Sequence, residues 1–249
     1  MPGHRTGSAG ANAVRRRHAR MRRDLLGATP RLLASDVSSF LNEWVPGSVR
    51  HLVSLFAMYW DPMPTVAASA GLDVANFSRG ERRLGPPEAY LRGRWTERDW
   101  RNVPGPFYGA LTDSCWTGRD IAPAHVVYED DYGSEIVYRQ PRNASEVQLV
   151  LTAAWNDPCG GYAADGDEHW TLRLLQEWWV DRGRLAAWID DLQRRWSSRE
   201  RADERENAAG LREYAEYLGS GLEADLRHYG FWLDHRRPPR PDERLPHLG

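Results

Sequence analysis

Lysine is absent from this chain. All 33 basic residues among its 249 are arginine, and isoleucine occurs only three times beside abundant Ala, Gly, Arg and Trp. That pattern is the codon bias of a GC-rich genome, so arginine content by itself does not point to nucleic acid, and the net charge of −2 agrees. Cysteine is scarce too: Cys115 and Cys159 are the only two. A disulfide-stapled secreted scaffold is thereby excluded as the expectation, and a reducing, cytoplasmic setting is expected. Two thiols also fall short of the four ligands of an iron–sulfur cluster unless a second chain or other ligands contribute. Long apolar runs are missing, since the stretch from Leu52 to Trp60 is too short to span a bilayer, so no membrane partner is expected.

What is present is unevenly distributed. Residues 1–80 hold ten Arg against five acidic residues, whereas residues 81–249 hold 23 Arg against 30 acidic ones. A basic front and an acidic back suggest two units. Met21-Arg22-Arg23-Asp24-Leu25-Leu26 has the look of a twin-arginine export signal, but Arg31 and Asp36 interrupt the apolar stretch that must follow. Residues 1–44 therefore read as a basic, solvated tail.

The expected fold is mainly α: a short helical region over residues 45–92, then a Trp-rich helical domain with one β-hairpin over 93–236, and a loose Pro-rich tail over 237–249. His125–Glu129 and Glu135–Arg139 are β-branched and aromatic runs around Asp130-Asp131-Tyr132-Gly133-Ser134, a hairpin signal and the only sheet expected. Asn143 with Glu146 forms a capping box for a helix stopping at Asp157-Pro158. Three more helices are predicted, on Leu174, Leu175 and Trp178; on Leu185, Trp188, Ile189, Leu192 and Trp196; and on Leu211 to Leu233, the last with a possible break at Gly219-Ser220-Gly221.

Two stretches in the first third carry the residue types of a helix-turn-helix reader. Ser48 to Phe56 includes Arg50-His51-Leu52, and the second stretch runs from Val66 to Gly85. In the second, Ala67 is the small residue where the helices cross, Gly71 sits in the tight turn and Phe77 seats the reading helix. Asp73 would cap that helix, leaving Asn76, Ser78, Arg79, Arg82 and Arg83 to meet base edges or phosphates. Residues 45–92 resemble the helix-turn-helix region of AraC-type transcription factors, through Phe77-Ser78-Arg79, Arg82-Arg83, Gly85, Pro87 and Tyr90. Arg50 and His51 resemble the first reading helix of that family. The resemblance implies a DNA partner and a regulator whose C-terminal domain senses a ligand or protein. The pattern also departs from the family: Phe56 and Val66 lie almost adjacent where a linker helix is usual, and Glu81 occupies an apolar anchor position. Residues from about Trp95 to Leu233 resemble a group of actinobacterial proteins, some described as ferredoxins, which implies no mechanism here.

The acidic loop Asp157–His169 is the strongest candidate for a chemical site. In an extended loop Asp165, Asp167 and His169 would point one way and offer two carboxylates and an imidazole to a divalent ion. Asp167 or Thr171 capping the following helix accounts for the same residues without a metal. Trp178, Trp188 and Trp196 read as core, while Trp100, Trp116 and Trp170 could line a groove. No pattern places a nucleophile beside a base, and no cofactor is implied. A non-enzymatic interaction protein with a relic N-terminus and a metal-assisted enzyme are the alternatives to the regulator.

Overall fold

In the computed structural model residues 59–74 and 83–249 are described. They open with helix α1 (Met63–Ala67), started by Pro62 and by the Asp61 carboxylate, which accepts the Met63 N–H at 2.9 Å. The short strand β1 (Tyr108–Gly109), helix α2 (Gly118–Ile121) and strands β2 (Val126–Tyr128) and β3 (Glu135–Val137) follow. Then come α3 (Ala144–Asn156), β4 (Tyr162–Ala163), α4 (Gly166–His169), α5 (Leu172–Val180), α6 (Arg182–Ser197), α7 (Ala202–Ser220) and α8 (Leu222–His235). The chain is mainly α, with two small antiparallel sheets among the described residues. Arg50, His51, Asn76, Ser78, Arg79 and Arg82 lie outside the described residues.

The β2–β3 hairpin is the middle layer. Its turn is closed by Gly133 at φ +76° and by the buried Glu129 carboxylate, which accepts the N–H groups of Asp131, Tyr132 and Ser134 at 2.6 to 2.8 Å. Side chains alternate across a strand, and here the alternation feeds two apolar clusters. Val126 and Val137 pack with Val147, Val150, Leu151 and Ala154 of α3, whereas Val127 and Ile136 pack with Leu175, Leu185, Ile189, Leu211 and Leu226 of the four later helices. Each fully buried aliphatic side chain contributes about 1.5–3 kcal/mol, so these two faces hold the layers together. Asn207 of α7 closes the outer edge of β2, its side-chain amide accepting from the Tyr128 N–H at 2.9 Å and donating to the Tyr128 carbonyl at 3.0 Å.

Helix α3 begins where the capping signal predicts. Asn143 accepts the Glu146 N–H at 3.0 Å, while Glu146 reaches back to the Arg142 N–H at 2.7 Å rather than to the Asn143 N–H. The predicted last helix is two, α7 and α8, parted at Gly221. A second sheet, absent from the sequence reading, pairs Tyr108 with Ala163 and Gly109 with Tyr162.

Two expectations about organisation are corrected. The described residues fall in one compact unit, so no gap in packing marks residue 92. Val66, Leu84 and Tyr90 share the cluster of α3, and Tyr90 meets Trp155 edge-on at 5.3 Å. The Pro-rich C-terminal segment is not loose, because Arg227 of α8 donates to the carbonyls of Pro246 at 2.9 Å and Leu245 at 3.3 Å, and Leu248 is buried.

Candidate functional site

The acidic loop is not extended where its candidates stand. From Gly166 to His169 it winds into α4, and Gly166 permits this because an added Cβ there would lie 2.1 Å from the Gly105 carbonyl oxygen. In a helix residues four apart share a face and residues two apart point to nearly opposite sides. Asp165 and His169 accordingly meet, Oδ2 to Nε2 at 3.2 Å, while Asp167 turns inward. Among the described residues only Glu129, Asp130 and Asp131 gather three potential ligand atoms within 4.8 Å. Those three are already engaged: Glu129 by the hairpin N–H groups, Asp131 by Arg101 at 3.2 Å, and Asp130 by Trp188 at 2.9 Å and by Arg195.

Asp165 and His169 sit in an aromatic bracket. Tyr108 donates its hydroxyl to Asp165 at 2.7 Å, and Trp95 stacks on the His169 ring at 4.8 Å. The Arg98 guanidinium lies 4.4 Å from the Trp95 ring and 4.6 Å from that of Trp170. Trp170 is buried and Trp100 and Trp116 pack against the core, so these three rings do not form an open groove. Thr171 caps α5, accepting the Leu174 N–H at 3.3 Å.

Asp167 faces the other way and organises a cleft. Its carboxylate accepts the hydroxyls of Tyr229 at 2.6 Å and Tyr59 at 3.2 Å. Burial pushes this carboxyl up to about 6, against the pull of the two tyrosine hydrogen bonds. Burial likewise keeps both tyrosines protonated, with the Asp167 charge adding to the effect. The two rings form part of a small cleft of about 50 Å³ that opens to solvent, lined also by Trp60, Tyr217, Asp225 and His228. Tyr217 donates to Asp225 at 2.5 Å, and Arg142 closes the same carboxylate from the rim.

His228 is the unfinished group of this cleft. Its Nδ1 is buried and has no hydrogen-bond partner. Burial lowers the imidazole below its usual range, with Arg227 acting in the same direction and Asp225 opposing. The ring is therefore neutral near pH 7, with one donor and one acceptor nitrogen. Sequence reasoning missed His228, Tyr59 and Asp225. Only the position of His228 beside the predicted stripe of Leu226 and Tyr229 could have marked it.

Arg83, the one DNA-contact candidate among the described residues, is exposed and pairs with Asp73 at 3.3 Å across an isolated antiparallel bridge. No helix among the described residues is long and apolar enough to cross a membrane. The chain matches no protein-family model, no curated protein and no solved structure.

Proposed function

We propose that the described unit is the ligand-sensing part of a DNA-binding transcriptional regulator whose DNA contacts lie in the basic N-terminal third. The observation that carries the sensing role is His228, whose buried Nδ1 has no partner on the wall of an aromatic cleft. Leaving such a group unpaired costs about 1–3 kcal/mol, which a ligand atom of matching polarity recovers. Tyr59, Trp60 and Tyr217 offer faces to a flat ring. The ligand class is thus a small planar molecule with one polar edge directed at His228.

The DNA-binding role is supported by ten Arg against five acidic residues over positions 1–80, and by Arg50, His51, Asn76, Ser78, Arg79, Arg82 and Arg83 as the residues that would carry it. The Arg83–Asp73 pair is 76% and 81% exposed. A pair so exposed contributes at most about 1 kcal/mol, so a phosphate displaces Asp73 at little cost.

Two experiments test the proposal. In a selection of genomic fragments by the purified full-length protein at near-physiological salt, a narrow motif is expected, with affinity that falls steeply as salt rises. Charge reversal at Arg79 and Arg82 that leaves binding unchanged overturns the DNA reading. In a thermal-shift panel of nucleobases and aromatic acids, at least one member is expected to raise the Tm of the wild-type protein and not that of His228→Phe. A panel that shifts neither, or both equally, overturns the sensing reading.

A further inference from the structure

A second and larger recess lies between α6 and α7, a groove of about 570 Å³ that is open to solvent. The two helices are joined through residues 198–201, and so short a link makes them antiparallel neighbours. Gly183 therefore stands near Gly219 at one end, with Ile189 near Leu211 farther along. The lining recurs at helical spacing on both walls, as Gly183, Ala186 and Asp190 on α6 and as Arg212, Ala215 and Gly219 on α7. Each set forms one stripe, and the buried Ile189 and Leu211 lie beneath them.

The groove is shaped by small residues that the fold itself does not use. Gly183 and Gly219 are exposed, and an added Cβ at either meets no atom within 4 Å. Glycine in a helix costs about 0.5–1 kcal/mol relative to alanine, and no contact among the described residues offsets it. Two guanidinium groups flank this floor. Arg182 is held at Trp179, donating to its carbonyl at 2.7 Å and lying 4.3 Å from its ring, with no carboxylate partner among the described residues. Arg212 has no hydrogen bond, ion pair or ring contact among the described residues. The one acidic residue of the lining, Asp190, is already paired with Arg194 at 3.2 Å. Beside the groove Val180, the last residue of α5, leaves an apolar side chain 70% exposed.

We propose that this groove receives an acidic amphipathic helix of a partner protein. Small residues on both walls let a third helix approach closely, and a helix laid in such a groove is read at spacings of three, four and seven residues. Arg182 stands at the end where Gly183 meets Gly219, and Arg212 lies seven residues from Gly219, so the two guanidinium groups are about 10 Å apart along the groove. Two turns of the incoming helix span the same distance. Carboxylates seven residues apart on the partner thus reach both arginines, with apolar side chains between them over Ile189 and Leu211. The paired charges fix the register and speed the encounter. A two-fold pairing of copies of this chain does not fit, since it sets one concave face against itself. A small amphiphilic anion fits less well, because its single head group engages one arginine and leaves the other unpaired.

The test is a selection on the purified full-length protein from a library of helical peptides randomised along one face, followed by fluorescence anisotropy of the enriched peptides. Asp or Glu is expected at two positions seven residues apart, around apolar residues, with binding that weakens as salt rises. Arg182→Glu combined with Arg212→Glu should weaken the enriched peptide at least tenfold and turn the selection toward Lys at those two positions. Gly183→Leu combined with Gly219→Leu fills the groove from positions that meet no neighbouring atom, and should abolish peptide binding while circular dichroism stays that of the folded protein. No enrichment, enrichment without the acidic pair, or binding that survives both double variants overturns the proposal. So does dodecanoate binding lost in the groove-filled variant without any peptide binding, which makes the groove an amphiphile site. None of these outcomes bears on His228 or on DNA.

Discussion

Glu135 should make this domain less stable as pH rises through neutrality. Its side chain is fully buried, accepting the Gly118 N–H at 2.7 Å and the Tyr162 hydroxyl at 2.5 Å. Burial pushes the carboxyl from an ordinary 4.5 up to about 8, with Asp113 and Asp157 adding to the rise and the two hydrogen bonds opposing it. The folded state therefore keeps a proton that the unfolded chain has released above about pH 4.5. Its contribution is fully present below that value and is lost as pH climbs through about 8. The whole swing is on the order of 5 kcal/mol, of which roughly 2 kcal/mol falls between pH 6.5 and 8. That window lies mostly above the titration of Asp167, near 6. Glu135→Gln retains an oxygen for Gly118 and an amide for Tyr162 while carrying no charge at any pH. Urea unfolding followed by tryptophan fluorescence, with chelator present, should show wild-type stability falling across the window and the variant nearly flat. Equal slopes in the two proteins would refute the argument that Glu135 stays protonated in the fold.

Three further outcomes are expected. Asn102 is fully buried and donates to the carbonyls of Asp99 and Gly109 at 2.8 Å while accepting the N–H groups of Gly109 at 2.9 Å and Val137 at 2.8 Å. Asn102→Ala strands these groups and should lower the urea-derived stability by about 3–5 kcal/mol. Glycine positions should split by environment: Gly109→Ala puts a Cβ 1.9 Å from the Glu135 carbonyl oxygen and should abolish soluble expression or cost several °C in Tm, whereas Gly183→Ala and Gly219→Ala meet no atom within 4 Å and should each stabilise by roughly 0.5–1 kcal/mol. Asp167→Asn should remove a second pH effect. The folded carboxyl titrates near 6 instead of an ordinary 3.8, so wild-type stability falls between about pH 4 and 6 on the order of 3 kcal/mol, and a variant that keeps that fall excludes Asp167 as its source.

The elements legible in the sequence are those fixed by neighbours in the chain. Helix α3 announces itself because its cap, Asn143 with Glu146, and its stop, Asn156 before Asp157-Pro158, are local. Helix α6 does so because Leu185, Ile189, Leu192 and Trp196 hold one face. The second sheet could not be read, since strands of two residues carry no period and form only because Gly93 donates to the Tyr162 carbonyl at 2.8 Å and Ala110 to the Gly161 carbonyl at 2.9 Å. The passage from Trp95 to Pro123 reads as loop and is mostly loop, interrupted by β1 and α2, yet Arg101 to Ala110 is buried. Buried backbone needs partners, and Asn102 and Gln140 supply them from side chains. Gln140 accepts the Phe107 N–H at 3.1 Å and donates to the carbonyls of Val103 at 3.0 Å and Phe107 at 2.8 Å. Nothing in a single sequence distinguishes such an amide from a solvated one.

The acidic loop illustrates the same limit at the level of chemistry. Alternating Asp165, Asp167 and His169 would share a side only in an extended chain, and one turn of helix reassigns them. Asp165 joins His169 against Trp95, and Asp167 joins Tyr59 and Tyr229 behind the cleft. What looked like three ligands for one site thus becomes a hinge point between two, with α4 fixing the separation. The tyrosine hydroxyls that hold Asp167 belong to rings whose other surfaces line the cleft containing His228, and Tyr59 also packs 4.6 Å from Trp232 of α8. A ligand that pushes on the Tyr59 ring must therefore act on a buried carboxyl and on the last helix together.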